Sequence, residues 1–215
     1  MCDCAVQMDF EEVMTLIQTI CSVLAVILAW YIPKKIKWDQ FYSNLISEYR
    51  SYDFAIAVQS VVEFFTFDCD SDVTKIPEKY KERFMKEIYG IQEPFPKTLD
   101  EVKENVDIEN LLQKDSDKTL HFQRRLLTQF YWELDSCLKS SFIGSRHVKK
   151  DFTRGESNII KILYFMNEAV DNDEILYKDI CFDERLPTIK RAKGINKSLV
   201  HLSEELKNTK RYIEV

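Results

Sequence analysis

The hydrophobic pattern of this chain is set by one uncharged run, Val13 to Ile32 (VMTLIQTICSVLAVILAWYI), followed at once by Pro33, Lys34, Lys35 and Lys37. At about 1.5 Å per residue such a run makes a helix of about 30 Å, the thickness of a bilayer's hydrocarbon core. Its ten Val, Leu or Ile residues favour insertion by about 0.3 to 0.6 kcal/mol each, about 3 to 6 kcal/mol in sum. Thr15, Gln18, Thr19 and Ser22 oppose this, but they lie in the first half, near the interface or within reach of helix partners. Residues 13–32 therefore read as a transmembrane helix.

Past the run, apolar positions recur three and four apart, the period of an amphipathic helix. Trp38, Phe41, Leu45 and Tyr49 carry the span, across or after Pro33, into a juxtamembrane helix over 33–50. Ser51 and Asp53 offer caps for a turn, and Phe54, Val58, Val61, Val62 and Phe65 form a second stripe that packs back on the first as a helical hairpin. Pro77 opens a third helix, with Tyr80, Phe84 and Ile88 four apart and Gly90 as its stop. Thr98 and Glu101 make a capping box for a fourth, carrying Leu99, Val102 and Val106.

The strongest soluble helix is predicted over 116–141, with Leu120, Leu127, Phe130, Leu134, Cys137 and Leu138 on one face. Its length makes it the central helix. Ile159, Ile160, Leu163, Met166 and Val170 follow a Ser157 cap, with Ile175, Leu176 and Ile180 as an extension, and Ile195, Leu199, Leu202 and Leu206 form the last stripe. No period-two run argues for a strand. The expected class is all-α: an acidic extracytoplasmic tail over 1–12, the span over 13–32, the juxtamembrane helix over 33–50 and a helical cytoplasmic domain over 51–211.

Charge sets the expected orientation. The first twelve residues hold Asp3, Asp9, Glu11 and Glu12 and no Lys or Arg. A secretory signal needs a basic n-region, so the segment is expected to stay attached. Basic residues on the C-terminal side put the N-terminus outside and the domain in the cytoplasm, across the inner (plasma) membrane. Trp30, Tyr31, Lys34, Lys35, Lys37 and Trp38 are the expected membrane-interface residues. The acidic tail contributes −4 of the net charge of −6, leaving −2 for the rest, which makes no electrostatic case for nucleic acid. Lipid bilayer is the expected partner, with a protein partner or self-association beside it.

Candidate chemistry is sparse. No Gly-rich phosphate loop, nucleophile elbow or kinase signature occurs, and no catalytic residue, cofactor or metal ligand is assigned. The six cysteines include no CxxC, and His121, His147 and His201 lack neighbours at metal-ligand spacing. Asp68, Asp70 and Asp72 resemble the start of a calcium loop, but Val73 and Lys79 stand where Gly and Glu are needed, so a solvated acidic loop is expected. Arg50, Arg124 and Arg125 with Tyr49, Tyr52, Tyr131 and Glu133 are candidates for an anion or partner site, against a purely structural role in holding helix ends. Arg146, His147, Lys149, Lys150 and Arg154, then Arg185, Lys190, Arg191, Lys193 and Lys197, form basic runs expected to be solvated beside acids, or else to make one positive face against the inner leaflet or RNA, of which the leaflet is the more economical ligand for a tethered domain.

The segments EYRSYDFAIAVQSVVEFF (Glu48 to Phe65), KYKERF (Lys79 to Phe84), RRLLTQFYWEL (Arg124 to Leu134) and NIIKILYFMNEAV (Asn158 to Val170), behind an N-terminal span, carry a resemblance. Together they resemble a family of uncharacterised bacterial single-pass membrane proteins with a helical cytoplasmic domain. The resemblance implies the architecture and no activity. The functional expectation is a membrane-anchored binding or regulatory module. The alternatives are a membrane-acting effector, as in antiviral defence, oligomerising through Thr15, Gln18, Thr19 and Ser22, and an enzyme of unrecognised type.

Overall fold

A computed structural model describes residues 10–98, 101–102, 119–140, 142–143, 148–149, 151–152, 156–172 and 189–207. Among the described residues there are six bounded α-helices and no strand. They are α1 (Phe10–Tyr49), α2 (Tyr52–Glu63), α3 (Ile76–Phe84), α4 (Leu120–Lys139), α5 (Glu156–Asn172) and α6 (Ile189–Lys207).

The uncharged run and the stripe that follows it form one helix. α1 runs 40 residues, about 60 Å, and Pro33 lies inside it. Proline has no N–H, so one bond, to the carbonyl of Ala29, is lost where the i→i−4 ladder passes through. The apolar part of α1 touches little of the protein: none of its most apolar stretch is buried. Its last two turns are different. Leu45 is 2% exposed, and Tyr42, Ile46 and Tyr49 pack against the core, so the helix ends inside the domain.

Ser51 caps α2, its Oγ accepting from the Phe54 N–H at 3.1 Å. The buried stripe is Phe54, Ala57, Val61 and then Phe64, while Val62 is exposed. This is rotated from the sequence expectation, because Ala57 is too small to mark a face by hydrophobicity yet permits close approach. α2 packs chiefly on α4 and touches α1 only slightly, so the anticipated hairpin is replaced by packing on the central helix. α1 has only its last turns to offer, whereas α4 presents Phe130 and Tyr131, with ring centroids 4.5 and 6.3 Å from Phe54.

α3 follows the predicted pattern. Pro77 sits in its first turn, Tyr80, Phe84 and Ile88 are buried, and Gly90 ends the helical segment with φ of 69°, a left-handed turn in which a Cβ would clash. The fourth predicted helix is described only at its start. There Thr98 Oγ1 accepts from the Glu101 N–H at 3.3 Å, and Glu101 Oε2 accepts from the Lys97 N–H at 2.8 Å. Leu99 and Val106 lie outside the described residues, as do Ile175, Leu176 and Ile180.

α4 is the centre, with α1, α2, α3, α5 and α6 all packed on it. It begins after Thr119, whose Oγ1 accepts from the Phe122 N–H at 3.2 Å. The expected Leu120, Leu127, Phe130, Leu134 and Cys137 are buried, and Leu138 packs half-buried at the edge. In α5, Ile160, Leu163, Met166 and Val170 are buried, with Ile159 partly so. Ser157 is not the cap anticipated for it. It lies within α5 and donates to the Ser203 carbonyl at 3.1 Å, its Oγ 3.0 Å from that of Ser203. Two small hydroxyl residues at this crossing let α5 and α6 approach closely, and theirs is the most extensive helix pairing. Leu199, Leu202 and Leu206 bury the facing side of α6.

Candidate functional site: a buried polar stripe on the central helix

α4 carries a second stripe beside its apolar one. Arg124, Thr128, Tyr131 and Asp135 are spaced four, three and four apart and all are buried, so they share one face of the helix. α5 and α6 supply their partners. Arg124 Nη1 donates to Asn167 Oδ1, and Asn167 Nδ2 donates to Thr128 Oγ1 at 3.3 Å. Tyr131 donates to Glu156 Oε2, and Asp135 Oδ1 lies 2.7 Å from His201 Nδ1. A buried polar side chain without a partner costs stability, which is why each step of this ladder matters for helix register.

The middle step ties the domain to α1. Tyr49, on the last turn of α1, donates to Glu156 Oε1 at 2.8 Å, so one carboxylate takes hydroxyls from two helices. One face of α1 supplies a second tether seven residues earlier, where Tyr42 donates to Asp151 Oδ2 at 2.7 Å. Burial, then the Glu156 hydrogen bond and charge, pushes the Tyr49 hydroxyl up to about 12. Tyr131 is held well above the ordinary tyrosine range by burial and by the charge and hydrogen bond of Glu156. Burial raises the Tyr42 hydroxyl too, with Asp151 adding to it. These phenols stay protonated and act as donors.

At the start of α4, His121 is buried with Nδ1 3.0 Å from the Tyr80 hydroxyl. Burial and then the positive charges of Arg124 and Arg125 hold it well below the usual histidine range, so it is neutral. The Tyr80 ring also faces Arg124, whose Cζ is 5.8 Å from the ring centroid.

The residues proposed from sequence as an anion or partner site are therefore placed apart. Tyr49 and Tyr131 meet on Glu156; Arg124 lies two turns from Tyr131 on the same stripe, with a different partner; Arg125 beside it is half-buried. Arg50 and Tyr52 are exposed at the α1–α2 turn, and no described side-chain bond joins Arg50 to the other candidates. Glu133 accepts from Gln129 Nε2 at 3.0 Å on the outer face of α4. Hydrophobic periodicity missed Asn167, Glu156, Thr128, Asp135 and His201. The only local signal was the four-three-four spacing of polar residues on α4.

Along α1, Trp30, Tyr31, Lys34, Lys35 and Lys37 are exposed and Trp38 is half-buried. Lys34 Nζ sits 3.6 Å above the Trp30 ring, a cation–π contact at the lysine-rich end of the uncharged run. The Tyr31 ring lies 5.4 Å from Phe142, which follows α4. Thr15, Thr19 and Ser22 donate to the carbonyls of Glu11, Thr15 and Gln18 at 2.8, 2.9 and 2.8 Å. Their hydroxyls are thus satisfied within the helix.

The acidic loop spends its carboxylates separately. Asp70 pairs with Lys75 at 2.6 Å, Asp72 accepts from the Thr74 N–H at 2.9 Å, and Asp68 is 3.5 Å from Arg83. Among the described residues no three His, Cys, Asp or Glu side chains are gathered as a metal site. Of the basic runs, Lys149 pairs with Glu205 at 2.5 Å and Lys197 is exposed; the other side chains lie outside the described residues. No protein-family model, curated protein or solved structure matches this chain.

Proposed function

We propose that this chain is a membrane-anchored helical binding or regulatory module, in which one continuous helix serves as both anchor and part of the domain. The observation that carries this reading is α1 itself. Its N-terminal part is long and apolar enough to cross a membrane and is exposed along that length, whereas its last two turns are packed in the core and tethered through Tyr42 and Tyr49. A helix built into the domain in this way transmits tilt or rotation directly to α4 and α5. The orientation follows the charge asymmetry, with the lysines of 34–37 on the cytoplasmic face of the inner membrane and the N-terminus outside.

The effector reading asks the polar face of the span to hold copies together. The hydroxyls of Thr15, Thr19 and Ser22 donate within the helix, which leaves the exposed Gln18 side chain as the group of that face a second copy would engage.

Extraction and labelling test the proposal. The protein is expected to stay in the membrane fraction through alkaline carbonate, and an impermeant thiol reagent on intact cells is expected to modify Cys2 or Cys4. Cys69 is fully buried, so its protection would report burial and not sidedness. An exposed cytoplasmic control is supplied by Thr66→Cys. Labelling of T66C on intact cells, or release by carbonate, overturns the reading.

A further inference from the structure

Gln18 is the one amide side chain in the uncharged run 13–32. It is exposed and makes no side-chain hydrogen bond among the described residues; the bond that ends on this residue, from Ser22 Oγ at 2.8 Å, goes to its backbone carbonyl. In water such an amide is satisfied by solvent. Among lipid chains neither its two N–H donors nor its carbonyl has a partner, and only another polar group at the same depth supplies one.

The residues around Gln18 say which surface meets it. Thr15, Gln18, Ser22, Ala25 and Ala29 are spaced three, four, three and four apart, so at about 100° per residue they fall within about 80° of one another on one face. The opposite face holds Leu16, Ile17, Ile20, Leu24 and Ile27, all large and exposed. Lipid is as apolar as leucine, so large aliphatics gain little by leaving it for another helix, whereas small residues let two backbones come close. The protein's own domain leaves the small face open. Tyr31 lies against Phe142, and Trp38, Tyr42, Leu45 and Tyr49 pack in the core; these positions centre about 170° around α1 from the small face.

The chemistry of the face selects a second copy. Copies inserted by the same charge asymmetry run parallel, which puts their Gln18 residues at one depth. An amide is both donor and acceptor, so two of them satisfy each other across a two-fold axis. The hydroxyl oxygens of Thr15 and Ser22, which donate within their own helix, keep lone pairs that can accept from the same amide. A repeat averaging 3.5 residues keeps such a face in contact along a left-handed pair. We propose, on the basis of the membrane-anchored reading, that α1 pairs with α1 of a second copy through Thr15, Gln18, Ser22, Ala25 and Ala29, with the two Gln18 amides bonded to each other.

The test uses the full chain in native membranes, with Cys2, Cys4, Cys21 and Cys181 replaced by serine, one cysteine introduced at a time, and oxidation by copper phenanthroline. Ser22→Cys, Ala25→Cys and Ala29→Cys are expected to give disulfide-linked dimers, and Ile20→Cys, Leu24→Cys and Ile27→Cys little or none. Adding Gln18→Leu to A25C is expected to lower the yield several-fold, because leucine is satisfied by lipid; Gln18→Asn, which keeps an amide, is expected to retain more of it. Equal yields on the two faces, no dimer on either, or an undiminished yield with Q18L overturns the pairing. A linked product of a mass other than twice the chain overturns the second copy. Each membrane sample is also extracted with alkaline carbonate, which separates the two readings. Release overturns the anchor and the pairing with it, whereas a retained chain without dimers specific to the small face overturns the pairing alone.

Discussion

The Tyr49 hydroxyl donates to Glu156 Oε1 at 2.8 Å, joining the last turn of α1 to the first of the described residues of α5 across 107 positions of sequence. Tyr131 reaches the other oxygen of the same carboxylate from α4. The end of α1 is thereby held at the middle of the domain's polar stripe.

Removing either hydroxyl leaves Glu156 short of a donor. Tyr49→Phe and Tyr131→Phe are each expected to lower stability by about 1.5 to 3 kcal/mol, the worth of a hydrogen bond to a charged group. The double variant should be more than additive, because the second loss strands the buried carboxylate. Urea denaturation of the full chain in micelles measures this. Single variants as stable as the parent would show that Glu156 is served by other donors.

The same pair makes the protein sensitive to alkali. Folding raises Tyr49 from the ordinary value of 10.0 to about 12, and Tyr131 also goes up. Between these values the unfolded chain has released protons that the folded chain keeps, so stability falls as pH rises. The contribution is intact below pH 10 and is expected to be lost from there through about 12. In Y49F the slope of Tm against pH over this window should be shallower; an unchanged slope would show that Tyr49 titrates normally.

Acid acts through His121. Its folded value is lowered by burial and by Arg124 and Arg125, so below the ordinary value of 6.5 the unfolded chain takes up a proton that the folded one refuses. Stability should therefore decline as pH falls from 6.5, and His121→Gln should flatten that limb while losing some stability at neutral pH. An acid limb identical in H121Q would place the proton uptake elsewhere.

The boundary between the exposed apolar part of the chain and its packed domain lies within α1. A chain starting at Lys37 keeps Tyr42, Leu45 and Tyr49 and is expected to fold without detergent, with a helical circular dichroism spectrum and cooperative unfolding. A chain starting at Ser51 loses the burial of Leu45, about 1.5 to 3 kcal/mol, together with both tyrosine tethers. It is expected to melt more than ten degrees lower or to aggregate. Equal melting of the two chains would mean that α1 is a passive stalk.

Local chemistry was legible in the sequence by itself. The uncharged run, the Ser51 and Thr98 caps, Pro77, the stop at Gly90 and the apolar stripes of α3, α4 and α6 each depend on residues within a few turns of one another. Helix geometry relates such positions without reference to the rest of the chain. The resulting all-helical class and the long apolar first helix follow from that periodicity alone.

Tertiary structure decided what local spacing does not contain. Ala57 and Ser157 became contact positions because another helix comes close there, and a small residue leaves no hydrophobic mark of its own. Arg124, Thr128, Tyr131 and Asp135 have the pattern of a solvent-facing polar arc. They are interior because α5 and α6 bring Asn167, Glu156 and His201 to them. Whether a polar face is bathed by water or sealed by partners depends on residues 25 to 66 positions away, and hydrophobic period carries no information about such pairings.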